Sequence, residues 1–218
     1  MNNYYITIIV KMDLPNNIHI QAIAKILEST GEHVEGNLIC DITPYNYLIH
    51  KNFAKIKNLQ HICKNKRKIC EIGVNACHSL LLMIMVNPDA EYVLFDLNCH
   101  RYTDLCIQYM MSTFPSTKMS VYYGNSVETV KKYMETNIMD IATFDMCHID
   151  GGHTYDVFSH DYANVNKLLS TDGTVVFDDY DYGDIKTFLD EKVSCKEIIP
   201  VSDNRLINTD GHFIYKLV

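Results

Sequence analysis

No two of the eight cysteines form a C-x-x-C pair and none clusters with histidine, which argues against a zinc ribbon or thioredoxin-like redox chemistry. They read as reduced, mostly buried thiols. Basic charge is also scarce: 19 Lys and Arg against 27 Asp and Glu leave a net charge of -8, which opposes docking onto phosphate backbones or anionic membranes. Nucleic acid is therefore disfavoured as a partner. Long apolar stretches are missing too, since the longest, Leu80 to Val86, is far too short to span a bilayer. The segment Met1 to Pro15 has neither a basic n-region nor a long apolar h-region, so no membrane attachment and a cytoplasmic location are expected. Internal repeats, low-complexity tracts and Pro/Gly/Ser linkers are absent. Tryptophan is absent beside 15 Tyr, a compositional bias that carries no mechanism.

What is present suits a globular enzyme-sized domain. Hydrophobic residues make up 47% and charged residues 21%, enough for a real core, and 218 residues point to one domain with an elaborated end. From Cys70 onward short apolar runs alternate with amphipathic ones, as in βαβ units around a parallel sheet. Strands are predicted at Ile69–Gly73, Glu91–Asp96, Lys118–Tyr123, Ile141–Asp150 and Gly173–Asp178. Helices are predicted at His78–Met85, Tyr102–Ser112, Ser126–Thr136 and Tyr155–Leu169, each apolar along one stripe. A helix near Tyr182–Lys192 precedes two last strands, Lys196–Val201 and His212–Leu217, expected to pair as an antiparallel hairpin. The expected fold class is α/β: a Rossmann-like, seven-stranded, mostly parallel sheet with that hairpin, spanning residues 67–218. Residues 1–66 read as a mostly helical extension, with a strand at Tyr4–Val10 and helices at Ile18–Leu27 and Tyr45–Ile62. The basic run Lys64–Lys68 that follows reads as a solvated turn rather than a phosphate patch.

Chemistry-bearing residues gather at predicted strand ends. After the first strand, Glu71-Ile72-Gly73-Val74-Asn75-Ala76-Cys77-His78-Ser79 has the layout with which open α/β sheets hold nucleotide-like ligands at the carboxyl edge; a plain βα turn is the competing reading. Asp96, some twenty residues on, is placed to accept both hydroxyls of a ribose. Gly124-Asn125-Ser126 follows the third strand, a polar turn able to bond an adenine edge, with Ser126 expected to cap the next helix. The fourth strand ends in the densest run, His148-Ile149-Asp150-Gly151-Gly152-His153-Thr154-Tyr155-Asp156 followed by Asp161, and the fifth in Asp178-Asp179. Three carboxylates at one mouth repel, and a bound hard dication such as Mg²⁺ would relieve that; helix capping and solvation are the alternative. His153 is placed to take a proton from a substrate hydroxyl, to contact a cofactor or to cap the helix. Asp145 reads as structural, and Cys77 as a packing residue without a positioned base.

Cys70 to Tyr180 resembles the class I S-adenosylmethionine-dependent methyltransferases, and within them the small-molecule O-methyltransferases. The resemblance rests on Glu71-Ile72-Gly73, Asn75-Ala76, His78-Ser79, Phe95-Asp96, Gly124-Asn125-Ser126, Ile149 to His153, Tyr155 and Asp178-Asp179. It implies that Glu71, Gly73, Asn75, Ala76 and Ser79 hold the methionine moiety of S-adenosylmethionine, Asp96 the ribose, and Gly124, Asn125 and Ser126 the adenine. Asp150, His153 and Tyr155 would complete the cofactor site, with Asp150 and His153 catalytic. The aspartates further resemble those of sugar O-methyltransferases, which implies Mg²⁺ at Asp150, Asp178 and Asp179 beside a small acceptor such as a sugar or nucleotide-sugar. Cys77 departs from the pattern's glycine and Asn125 from its aspartate. A nucleic-acid or cap methyltransferase and a non-catalytic binding module are the other readings, and self-association is left open.

Overall fold

The computed structural model describes residues 14–35, 38–39 and 45–218, and among residues 45–47 only the backbone. The predicted strand Tyr4–Val10 lies outside the described residues. Helix α1 (Ile18–Thr30) starts at Asn17, whose side chain accepts from the backbone N–H of His19 and Ile20, and stops at Gly31 in the left-handed region, φ 59°. Its Ile20, Ile23 and Leu27 recur at helical spacing and are buried. The single helix expected over Tyr45–Ile62 is two, α2 (Tyr45–Lys51) and α3 (Phe53–Cys63). They part at Asn52, whose amide donates to the Leu38 carbonyl 3.0 Å away.

The sheet domain follows as β1 (Lys68–Ile72), α4 (His78–Val86), β2 (Glu91–Asp96), α5 (Arg101–Thr113), β3 (Lys118–Tyr123), α6 (Ser126–Thr136), β4 (Phe144–Ile149), α7 (Tyr155–Leu168), β5 (Leu169–Asp178), α8 (Gly183–Ser194), β6 (Ile198–Pro200) and β7 (His212–Leu217). The strand order is β3-β2-β1-β4-β5-β7-β6, with β7 antiparallel to both neighbours and every other pairing parallel. The seven-stranded, mostly parallel sheet with its closing hairpin is thus as the patterning predicts. Boundaries differ locally. β4 starts at Phe144, three residues late, because Ala142 at φ 58° interrupts the extended backbone, and β5 starts at Leu169, four residues ahead of Gly173, with a register irregularity opposite Phe144–Met146.

Helix α4 was expected to be apolar along one stripe, but all of His78 to Ile84 is buried. A helix that apolar must be covered on both sides. The sheet covers one side, and Ile20, Ile23 and Leu27 of α1 with Ile56, Leu59 and Cys63 of α3 join the same core from the other. At about 1.5–3 kcal/mol per large aliphatic side chain, that burial is what holds the N-terminal helices on the domain.

The basic run sits at the amino end of β1, away from the predicted site. Arg67 pairs with Asp145, and Lys68 pairs with both Glu91 and Asp140. Lys66 donates to the Thr174 hydroxyl. Asp145 therefore has the structural role expected of it, and three of the basic side chains have local partners.

Candidate active site

The carboxyl ends of β1, β2 and β3 form one rim. Gly73, at φ 84°, donates its N–H to the Phe95 carbonyl, and a Cβ there would overlap the Asp150 carbonyl oxygen. The turn and the end of β4 are therefore in backbone contact, and only glycine satisfies both demands. Asp96 Oδ2 accepts from the N–H groups of Val74 and Asn75, each at 2.8 Å, while Oδ1 accepts from Asn98 at 2.7 Å. The carboxylate expected to take ribose hydroxyls is also the brace of the turn. Asn75 donates through Nδ2 to the Glu35 carbonyl, which brings the N-terminal segment onto this rim, and leaves Oδ1 buried without a partner. Ala76, Cys77 and Ser79 are buried. Cys77 has φ 61° and heads α4 without a side-chain cap bond; burial, with Cys106 adding to it, pushes its thiol well above the usual range, so it is a packing residue. At β3, Gly124 at φ 128° donates to the Asp96 carbonyl. The cap of α6 is Asn125, whose Oδ1 accepts from Val127; the cap expected of Ser126 is thus corrected, since its neighbour has the extended cap backbone and Ser126 is already helical.

The ends of β4 and β5 form a second, adjoining mouth, a narrow cleft of about 10 Å³ lined by Asp150, Gly152, His153, Asp178 and Asp179 among others. The three predicted carboxylates do converge there. Their charge is divided unequally: burial and the charges of Asp178 and Asp179 push Asp150 well above the carboxylate range. Burial would raise Asp178 too, but His212 and Lys55 outweigh it and hold this group below the usual range. His153 Nε2 lies 2.8 Å from Asp179 Oδ2, and that bond raises its imidazole above the ordinary value. The ring leans on Tyr182, 5.3 Å away. Tyr155 heads α7 and packs edge-on to Phe158 and Phe188. Asp161, fully buried on α7, faces Gly151, and burial pushes its carboxyl up to about 6, the Ser126 hydroxyl pulling part of the way back.

Beneath the mouth runs a buried polar chain set by strand register. Glu71 pairs with His148 across β1 and β4, and the imidazole Nδ1 sits 3.0 Å from Glu71 Oε1. Asp178 pairs with His212 across β5 and β7, with Nε2 3.6 Å from Oδ1. Ligand atoms of His148, Asp178 and His212 all lie within 4.8 Å of one another. Lys55 completes the arrangement. It reaches in from α3, with Nζ on Asp178 Oδ1 and 3.6 Å from Asp179 Oδ1.

This order of strands, with a glycine turn, an acidic β2 end and a carboxylate mouth along one edge, agrees with comparison to known proteins. The methyltransferase domain family matches residues 70–180. The chain belongs to that methyltransferase family. Solved structures share its fold at low identity. The O-methyltransferase TomG from Streptomyces achromogenes, solved with SAM, is 15% identical over 99% of this chain and 94% of its own, TM-score 0.61. Cofactor-bound Rv0187 from MTB is 12% identical, covering 94% and 92% of the two chains, TM-score 0.65. CalS11, a TDP-rhamnose 3'-O-methyltransferase, is 12% identical, covering 92% and 95%, TM-score 0.60. No curated protein matches the sequence.

Four residues near this site were given no role from the sequence, His148 among them although it opens the run that ends the fourth strand. His148 and His212 carried a usable signal, because a histidine inside an otherwise apolar strand must find a polar partner once buried. Lys55 carried none: it stands two residues from Lys57 and looks like any solvated lysine until α3 is placed. Leu97 is a fourth, an apolar side chain left 61% exposed directly after Asp96 on the same rim.

Proposed function

We propose that this chain transfers a methyl group from S-adenosylmethionine to a hydroxyl oxygen of a small acceptor, a sugar or nucleotide-sugar being the class that best suits the polar mouth. The observation that carries the reading is the contact between Gly73 and the Asp150 backbone, which sets the glycine turn directly against the carboxylate mouth. A cofactor on the first and a hydroxyl in the second would be neighbours. The residues fit the cofactor: Asn75 Oδ1 and Glu71 Oε2 have no partner, Asp96 presents its carboxylate, and Leu97 offers an apolar surface. Family membership and the SAM-complexed neighbour TomG support the same cofactor, and CalS11 supports a sugar class of acceptor. The bound cofactor would supply an electrophilic methyl on its sulfonium.

The chain's own work is then alignment and proton removal. Asp150, whose carboxyl is raised above the ordinary range by burial and its carboxylate neighbours, is a stronger base than a free carboxylate and would accept the acceptor's proton. His153 is less suited, because the Asp179 bond favours its protonated form; it would orient the acceptor instead. Mg²⁺ at Asp150, Asp178 and Asp179 does not fit this arrangement, since the Lys55 ammonium already lies on Asp178. Calorimetry with S-adenosylhomocysteine, followed by methyl transfer from labelled S-adenosylmethionine to a panel of sugars and nucleotide-sugars, tests the proposal. Binding with transfer to a hydroxylated acceptor is expected. A folded protein without S-adenosylhomocysteine affinity would sink it, and methylation of RNA alone would replace it with the nucleic-acid reading.

A further inference from the structure

We propose that Lys55 is the resident cation of the acceptor mouth, taking the place of a divalent metal and making this chain's reaction metal-independent; this rests on the methyl-transfer reading above. The mouth gathers Asp150, Asp178 and Asp179, and a cluster of that charge needs a cation. The structure supplies one from the N-terminal helices. Lys55 Nζ bonds Asp178 and lies 3.6 Å from Asp179, with only 16% of its side chain exposed. His153 bonds the remaining oxygen of Asp179 and His212 lies opposite Asp178, so cationic or proton-bearing partners already surround the carboxylates.

The lysine is held there. A Cβ on Gly211 would come within 2.8 Å of Lys55 Cδ, so the aliphatic stem lies over the glycine that opens β7. One turn on, Asn58 makes paired 2.8 Å bonds to the N–H and carbonyl of Ile207. A further turn on, His61 Nε2 meets Asp203 Oδ2 at 3.0 Å. Three successive turns of one helix face thus fasten α3 to the loop before β7. A hard dication would coordinate these same oxygens at about 2.0–2.1 Å and meet the ammonium as a like charge. The same conflict applies to a metal held by His148, Asp178 and His212, because Asp178 is the shared ligand. Seated on two carboxylates that line the cleft, Lys55 supplies there the positive charge that a metal otherwise would.

Titration with Mn²⁺, followed by the loss of the free-ion electron paramagnetic signal, tests this without knowledge of the acceptor. Wild-type protein and Lys55→Arg are expected to leave the signal unchanged. Lys55→Met, which keeps the stem and removes the charge, should bind Mn²⁺ at least about tenfold more tightly than wild type, because Asp178 and Asp179 lose their counter-ion. Tight Mn²⁺ binding by wild type overturns the proposal, as does a folded Lys55→Met with no gain. Should Lys55→Met fail to fold, Lys55→Gln takes its place, and the wild-type arm stands regardless. S-adenosylhomocysteine calorimetry on the same samples separates the two claims: its failure removes the methyl-transfer reading while the Mn²⁺ comparison still reports the mouth. Once an acceptor is known, wild-type transfer should persist in excess chelator, and its abolition there would also overturn the inference.

Discussion

Gly73 is the residue at which local conformation and site architecture meet. Its φ of 84° and its contact with the Asp150 backbone both exclude a side chain. Gly73→Ala is expected to cost more than 3 kcal/mol, roughly the sum of left-handed strain and a backbone displacement, and to abolish S-adenosylhomocysteine binding even where a folded fraction survives. A chemical melt and calorimetry check both. Cys77 poses the opposite case, a side chain held at φ 61° where the family pattern has glycine. Cys77→Ala keeps the strain and loses the buried sulfur, whereas Cys77→Gly loses the sulfur and relieves the strain. The glycine variant should therefore be the more stable of the two by about 1 kcal/mol, the reverse of their order within a helix. For Asp96, replacement by Asn separates two roles: an amide oxygen can still accept from Val74 and Asn75, but its NH₂ must face the Asn98 N–H. Asp96→Asn should fold and bind S-adenosylhomocysteine at least about tenfold more weakly, as expected when charge-assisted bonds of about 1.5–3 kcal/mol are lost. Unchanged affinity would leave Asp96 as a brace only.

At the scale of elements, the helices and strands of the sheet domain were legible because their periodicities are clean, and the exceptions have identifiable causes. Asn52 interrupts what looked like one helix by turning its amide to a distant carbonyl, a contact no local pattern encodes. The uniform apolarity of α4 marks it as buried on both sides, which required the N-terminal helices to pack over it. The fastening of α3 is likewise tertiary. Asn58→Ala removes two bonds to Ile207 and leaves both backbone groups without that partner, so a loss of about 1–3 kcal/mol is expected. Increased hydrogen exchange should appear in α3 and in the loop before β7, and not in β1 to β3. Uniform exchange across the sheet would mean that the two segments are not coupled as described.

For the whole molecule, the titrating groups set a direction with pH. Asp161 has a carboxyl at about 6 in the fold against 3.8 ordinarily, so the folded state binds the extra proton and stability falls as pH rises between those values. The penalty above that window is roughly 3 kcal/mol. His153, raised in the fold, adds stability below its ordinary 6.5 that is lost as pH rises through its folded value. Asp178 works oppositely: held below the ordinary range in the fold, it adds stability above about 4 that is lost as pH falls further. Buried His78 and His212, both lowered by desolvation, work against the fall with rising pH below 6.5, so the Asp161 contribution is read by difference: Asp161→Asn should remove the loss of stability between pH 4 and 6 that the wild type carries there. An unaltered slope in that variant would show that Asp161 is not the group responsible. Saturating S-adenosylhomocysteine at about 100 times its Kd should add about 2.7 kcal/mol, a rise of roughly 5–10 °C for a chain of this size.

The amino-acid sequence by itself determined the class of fold, the order of strands along the chain and the rim residues from Glu71 to Ser126, because these depend on periodicity and on turn residues whose constraints are local. It also placed Asp150, Asp178 and Asp179 at one mouth, since parallel strands carry their carboxyl ends to a common edge. Only the tertiary structure decided what neutralises them. Lys55 lies almost one hundred residues before Asp150 and reaches the mouth because α3 is buried against α4 and fastened at Ile207 and Asp203. His148 and His212 meet Glu71 and Asp178 through strand register. Charge compensation is a property of distance in space, and no spacing along the chain specifies it.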